Sequence, residues 1–144
     1  MVKKLLTYIF IYMTLTSCDD DNIMGVCQSN CFLEVEAPNL IMDENGYYHM
    51  EFQDNYYQTF TTLKAVTGSV DNYQKLGWIS DTEVNVGGSW TNCVNGDSYT
   101  DSDGNAYTVL SVWEILVGDT VRVFTGYHDE CDIHYVDSLK IVVN

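Results

Sequence analysis

Thr120-Val121-Arg122-Val123-Phe124-Thr125-Gly126-Tyr127 alternates without a break: Val121, Val123 and Thr125 fall on one side of an extended chain, and Thr120, Arg122 and Phe124 on the other. Successive side chains of a strand point to opposite faces, so the pattern belongs to a strand with one face in a core and one in water. Its neighbours read the same way. Ala106 to Trp113 alternates before it, and Tyr135 to Val143 after it, with Leu139, Ile141 and Val143 opposing Ser138, Lys140 and Val142. Val142 on the polar side implies a strand covered on both faces near its end. Gly118-Asp119 and the segment from His128 to His134 supply the connections.

Working back from this block, the chain keeps the same texture. Phe32 to Ala37 reads as a strand broken by Pro38, the single proline. Asn45-Gly46 between Leu40-Ile41-Met42 and Tyr47 to Phe52 predicts a hairpin with a type I′ turn, Tyr48, Met50 and Phe52 sharing one face. Tyr57 to Val66 is a Thr-rich strand. Val70 to Ile79 fits a strand best, although Val70, Tyr73 and Leu76 also suit a helical turn. Thr82 to Val86 alternates, Gly87-Gly88 interrupts it before Trp90, and Asn92 to Asn105 reads as an acidic loop whose Asp97, Asp101, Asp103 and Gly104 serve turn chemistry. Seven or eight short strands without a strong helical period predict an all-β fold, an antiparallel β-sandwich over residues 31–144.

Thr100-Asp101-Ser102-Asp103-Gly104-Asn105-Ala106, followed by a strand and then by Gly118-Asp119-Thr120-Val121-Arg122-Val123, resembles the second half of bacterial Ig-like modules. There an Asp-Gly turn precedes the penultimate strand pair and a Gly-x-Thr-Val-x-Val run opens the next strand. The resemblance covers about a third of the chain and implies an Ig-like sandwich. Cys93 and Cys131 lack the Cys, Trp, Cys arrangement of antibody domains.

The other end of the chain carries an address. Lys3 and Lys4 precede an uncharged run from Leu5 to Leu15, a secretory leader too short to span a bilayer, which takes about 20 apolar residues. Leu15-Thr16-Ser17-Cys18 resembles the lipobox of bacterial lipoproteins. That resemblance implies that residues 1–17 are a signal peptide, that Cys18 carries the lipid, and that residues 18–30 form a tether. Asp19-Asp20-Asp21 is similar to the acidic tract of Bacteroidetes-type lipoproteins, which implies display at the outer face of the outer membrane. Each buried acyl carbon contributes about 0.8 kcal/mol, so several chains on Cys18 make a lasting anchor to the membrane.

Loss of residues 1–17 removes two lysines and no acid, taking the net charge from −15 to −17. So acidic a surface repels phosphate backbones and anionic lipid, which excludes nucleic acid and suits cations or basic partners. Once Cys18 is spent on lipid, Cys27, Cys31, Cys93 and Cys131 remain, an even set fitting two disulfides in an oxidising compartment. Three connectivities are open. Cys93 with Cys131 and Cys27 with Cys31 is preferred, with pairing of the N-terminal arm to the two later loops a close alternative.

No chemistry-bearing motif stands out. Gly87-Gly88-Ser89 is not a nucleophile elbow, and the potential ligands from His128 to His134 have no dedicated metal spacing, so the chain is read as a non-enzyme with no metal or cofactor. The aromatics are the better clue. Tyr56, Tyr57, Trp90, Tyr99 and Tyr127 flank loops or stand in pairs, and rings beside carboxylates are suited to gripping a protein or glycan ligand. The expected function is a lipid-anchored binding or adhesion module. The alternatives are a purely structural envelope component and, less favoured, a small metal-dependent or carbohydrate-active enzyme.

Overall fold

The computed structural model describes residues 33–53, 56–68, 74–128 and 133–144, without the side chains of residues 128 and 133–136. Among them are eleven strands: β1 (Leu33–Glu36), β2 (Ile41–Met42), β3 (Tyr47–Met50), β4 (Gln58–Thr67), β5 (Lys75–Ser80), β6 (Glu83–Val86), β7 (Ser89–Asn92), β8 (Asn95–Tyr99), β9 (Asn105–Trp113), β10 (Thr120–His128) and β11 (Ile133–Val143). One sheet runs β1-β4-β9, a second β2-β3-β11-β10-β5-β8, and β6 pairs with β7 alone. Among the described residues a single 3-10 turn, Glu114–Leu116, interrupts the β structure.

The two larger sheets meet through alternate side chains. Leu33, Val35, Leu63, Ala65, Leu110 and Val112 come from the three-stranded sheet, and Leu76, Trp78, Val121, Val123, Leu139, Ile141 and Val143 from the six-stranded one, all buried. Each large apolar side chain removed from water contributes about 1.5–3 kcal/mol. Two polar groups in this layer are bonded: Thr125 Oγ1 donates to Gly77 O at 3.1 Å, and the Trp78 indole N–H donates to Ser98 Oγ at 2.7 Å. The fold is all-β and sandwich-like. The eleven strands exceed the seven or eight expected from sequence, chiefly because β7 and β8 were not legible as strands. Their order, β1-β4-β9 against β11-β10-β5, is the A-B-E and G-F-C order of an immunoglobulin-type sandwich, with β8 added beside β5.

Three expectations are corrected. The sheets are not wholly antiparallel, because β3 runs parallel to β11. The chain leaves the first sheet after Glu36, turns at Pro38 with Leu40 N–H donating to Ala37 O (3.0 Å), and enters the second sheet beside its last strand. The acidic segment from Asn92 contains β8, antiparallel to β5. Its Asn-Gly-Asp-Ser-Tyr sequence hides the strand because an edge strand is held by main-chain pairing and buries little; only Ser98 is even half-buried. The Asn45-Gly46 turn is not type I′. Asp43 pairs with Tyr47 across a three-residue loop that ends on Gly46 at φ 81°.

That loop recurs. Asp43 Oδ1 accepts the N–H groups of Asn45 and Tyr47, both at 2.9 Å, and Gly46 N–H donates to Asp43 O. Asp101 does the same with Asp103 and Asn105, both at 2.9 Å, and Gly104 at φ 78°. Each carboxylate replaces a backbone acceptor, so a short Asp-x-Asn/Asp-Gly stretch starts β3 and β9 in register. The bond from Tyr47 N–H, then that from His49, holds the Asp43 carboxyl below its ordinary value of 3.8, and the bond from Asn105 N–H does so at Asp101.

Because both carboxyls titrate lower in the folded chain than in the unfolded one, their contribution is complete above about pH 4 and is lost as pH falls through the lowered values. Urea midpoints at pH 7 and pH 2.5 should therefore differ less for Asp43→Ala/Asp101→Ala than for the unaltered chain. In the core, Leu63→Ala should cost about 2–5 kcal/mol of unfolding free energy by the same measurement, whereas Val109→Ala on the outer face should stay within about 0.5 kcal/mol.

Candidate functional site

On β4 the inward positions are taken by Thr59, Thr61, Leu63 and Ala65, which leaves Phe60, Thr62, Lys64 and Val66 facing out. The β9 register sets Phe60 opposite Ser111, Thr62 opposite Val109 and Lys64 opposite Tyr107. The outer face of the three-stranded sheet thus bears Phe60, Tyr107 and Val109, each about half exposed or more. Rings and branched side chains in water contribute nothing to the core, and a contiguous apolar patch marks an interaction surface.

Two clefts flank this face. The larger, about 560 Å³, lies between β4 and the β2–β3 hairpin and is lined by Ile41, His49, Glu51, Gln53, Phe60 and Thr61 among others. The smaller, about 380 Å³, lies beyond β9 and is lined by Trp90, Asn92, Asn95, Thr108 and Ser111. Val109 lines both, so the apolar face joins them. In the larger cleft the His49 ring is held from two sides: Nε2 is 3.2 Å from Asp43 Oδ2, and Asn144 Nδ2 is 3.3 Å from Nδ1. Asn144 Nδ2 also donates to Glu51 Oε1 at 3.0 Å. The result is a fixed polar rim.

Charge is lopsided here. Lys64 pairs with Glu36 at 2.9 Å and Lys75 with Asp97 at 2.8 Å, and the bond to each carboxylate raises the lysine pKa. Arg122 lies 4.7 Å from the Phe124 ring centroid and donates to Ser138; Lys140 lies 5.0 Å from that of Tyr47. All four basic side chains beyond the leader are therefore engaged with neighbours. Glu51 lines the larger cleft, and no lysine or arginine does.

The aromatics expected to act together are dispersed. Tyr56 and Tyr57 are exposed just before β4, and Tyr99 is exposed opposite Lys75 on the far edge of the six-stranded sheet. Trp90, 70 % exposed, lines a cleft. Tyr127 is corrected: it is buried, on the face of β10 shared by Val121, Val123 and Thr125, as the parity of that strand required. Phe60, Val109 and Ile41 were missed. Their only signal was odd-even position, which a strand with threonines on one side and phenylalanine on the other renders ambiguous.

Cys93 is also corrected. It carries a free, buried thiol, so the expected bond to Cys131 is not formed. Hydrogen bonds from its N–H to Thr82 O and from Ser111 N–H to its carbonyl fix it at the Ser80 end of β5, whereas β10 and β11 close on the opposite end, at His128 and Ile133. Cys18, Cys27, Cys31 and Cys131 lie outside the described residues, as do the leader, the tether and all of the side chains of the His128 to His134 segment. Among the described residues no group of three or more His, Cys, Asp or Glu is placed to hold a metal ion, and no helix is long and apolar enough to cross a membrane. Compared with models of known protein families and with curated proteins, the sequence matches none.

Burial pushes the Cys93 thiol up to about 11. Only the thiolate is a good nucleophile, so iodoacetamide at pH 8 should leave Cys93 unmodified in the folded chain and label it fully in urea, as read by peptide mass mapping.

Proposed function

We propose that the chain is a lipid-anchored cell-envelope lipoprotein, held through Cys18 at the outer membrane and displayed at the surface, whose sandwich is a non-catalytic binding or adhesion module for a protein or glycan. The leader, the lipobox-like Leu15-Thr16-Ser17-Cys18 and the acidic run after it support the location. The observation that carries the binding reading is the outward row Phe60, Val109 and Tyr107 between two clefts. These side chains are unnecessary to the core, and the face carries the apolar contact area and fixed polar rim that recognition sites combine. Cys27, Cys31 and Cys131 are the thiols left for a disulfide in an oxidising compartment.

Trp78 and Trp113 are buried and Trp90 is exposed, so ligand-dependent emission reports on Trp90. Titration of the chain across a glycan array and envelope protein fractions should shift that emission, and Trp90→Phe should abolish the shift; silence throughout would sink the reading. Mass spectrometry of the mature N-terminal peptide should find an acylated Cys18, and Cys18→Ala should leave the leader uncut. An unmodified Cys18 on a cleaved chain would overturn the anchor.

A further inference from the structure

We propose that the open edge of β4 at Phe60 and Thr62 is a slot for an extended, positively charged peptide segment of a partner protein, which adds to the three-stranded sheet in line with β1. The proposal rests on the binding-module reading and names the class of ligand.

The slot arises because β1 is short. It pairs with β4 only from Lys64 to Thr67, and then the chain crosses to the other sheet. From Gln58 to Leu63, β4 has β9 on one side and, among the described residues, no strand on the other. At about 3.4 Å per residue this leaves about 20 Å of edge. Thr67 N–H donates to Gly104 O, on the β9 side, so the odd residues of β4 turn their main-chain groups to β9 and the even ones turn theirs to β1. Ser111 N–H, which donates to Cys93 O on the far side of β9, gives the same alternation. Beyond the end of β1, the N–H and C=O of Phe60 and Thr62 therefore point into the larger cleft. Two donor–acceptor sets, two residues apart on one edge, are what an added strand requires.

A second feature of the same cleft is independent of that edge. Thr61, 6 % exposed, lines the cleft, and its Oγ1 is buried with no hydrogen-bond partner. A buried hydroxyl left unbonded is costly, and a polar group entering the cleft would satisfy it. Charge selects the occupant. Glu51 lines the slot, the basic side chains are engaged elsewhere, and the whole chain carries −15, which opposes an acidic peptide or a second copy and favours a basic segment.

The test probes the purified full chain with an array of eight-residue peptides sorted by net charge, then measures hydrogen exchange with and without the best-bound peptide. Binders should concentrate among basic, proline-free sequences. Exchange at the Phe60 and Thr62 amides should slow at least tenfold, with no such change in β8. Thr62→Pro removes an N–H that bonds no neighbouring strand, a position where an edge tolerates proline; it should weaken binding at least tenfold with circular dichroism retained. Should that variant not fold, Thr61→Val, which removes only the unpartnered hydroxyl, should keep the fold and weaken binding at least threefold. Absence of basic binders, protection confined to another edge, or affinity unchanged in the folded variant would overturn the slot. A glycan response of Trp90 that survives Thr62→Pro would leave the binding module standing without the slot, whereas peptide protection of β4 with a silent Trp90 would leave the slot and remove the aromatic face.

Discussion

The apolar layer between the two sheets is the constraint from which the rest of the molecule follows. Leu63, Leu76, Trp78, Leu110, Val121, Val123 and Ile141 are essentially without exposure, and they come from five strands of the two facing sheets. Once β4, β5, β9, β10 and β11 have turned these side chains inward, the opposite parity of each strand must face water. Phe60 and Val109 are thus exposed because Leu63 and Leu110 are buried. A one-residue slip would bring Phe60 in and expel Leu63, at the cost of all the contacts that the other strands already make.

The two Asp-x-Asn/Asp-Gly loops hold that register from outside the core. In each, a carboxylate accepts two backbone N–H groups and a glycine takes the left-handed conformation that closes the chain. They sit immediately before β3 and β9, the strands that border the larger and the smaller cleft. Asp43 has a further part, since its second oxygen meets His49 and so fixes one wall of the larger cleft. A turn residue and a rim residue are the same side chain. The sheets are also linked at their margin by Val35 N–H donating to Asp137 Oδ2 at 2.9 Å, from β1 across to β11.

Electrostatics sharpens the picture at the surface. The excess of acid is not offset locally, because each of the four basic side chains beyond the leader already faces a carboxylate or a ring. An anionic ligand would have to displace one of these partners. A cationic or neutral one would not, and it would meet Glu51 in a cleft that apolar, hydroxyl and amide side chains and the His49 ring also line. Solvent screening limits the reach of such charges to about 8–10 Å at ordinary salt, so the carboxylates at the cleft matter more to recognition than the total does.

By itself the sequence determined the fold class and most of the strands. Alternation over Thr120 to Tyr127 and Tyr135 to Val143, glycine and asparagine punctuation, and a single proline are local signals, and local signals suffice where side-chain parity and burial agree. They failed for β8, whose polar residues pack against little, and for the loop at Asn45-Gly46, where the preceding aspartate selected a longer turn. The tertiary structure alone decided the rest: that β3 lies parallel to β11, that Cys93 is remote from the closing end of β10 and β11, and that Phe60 and Val109 share a face. Each of these depends on which distant strands become neighbours, and that is set by burial summed over the whole sandwich rather than by any stretch of chain.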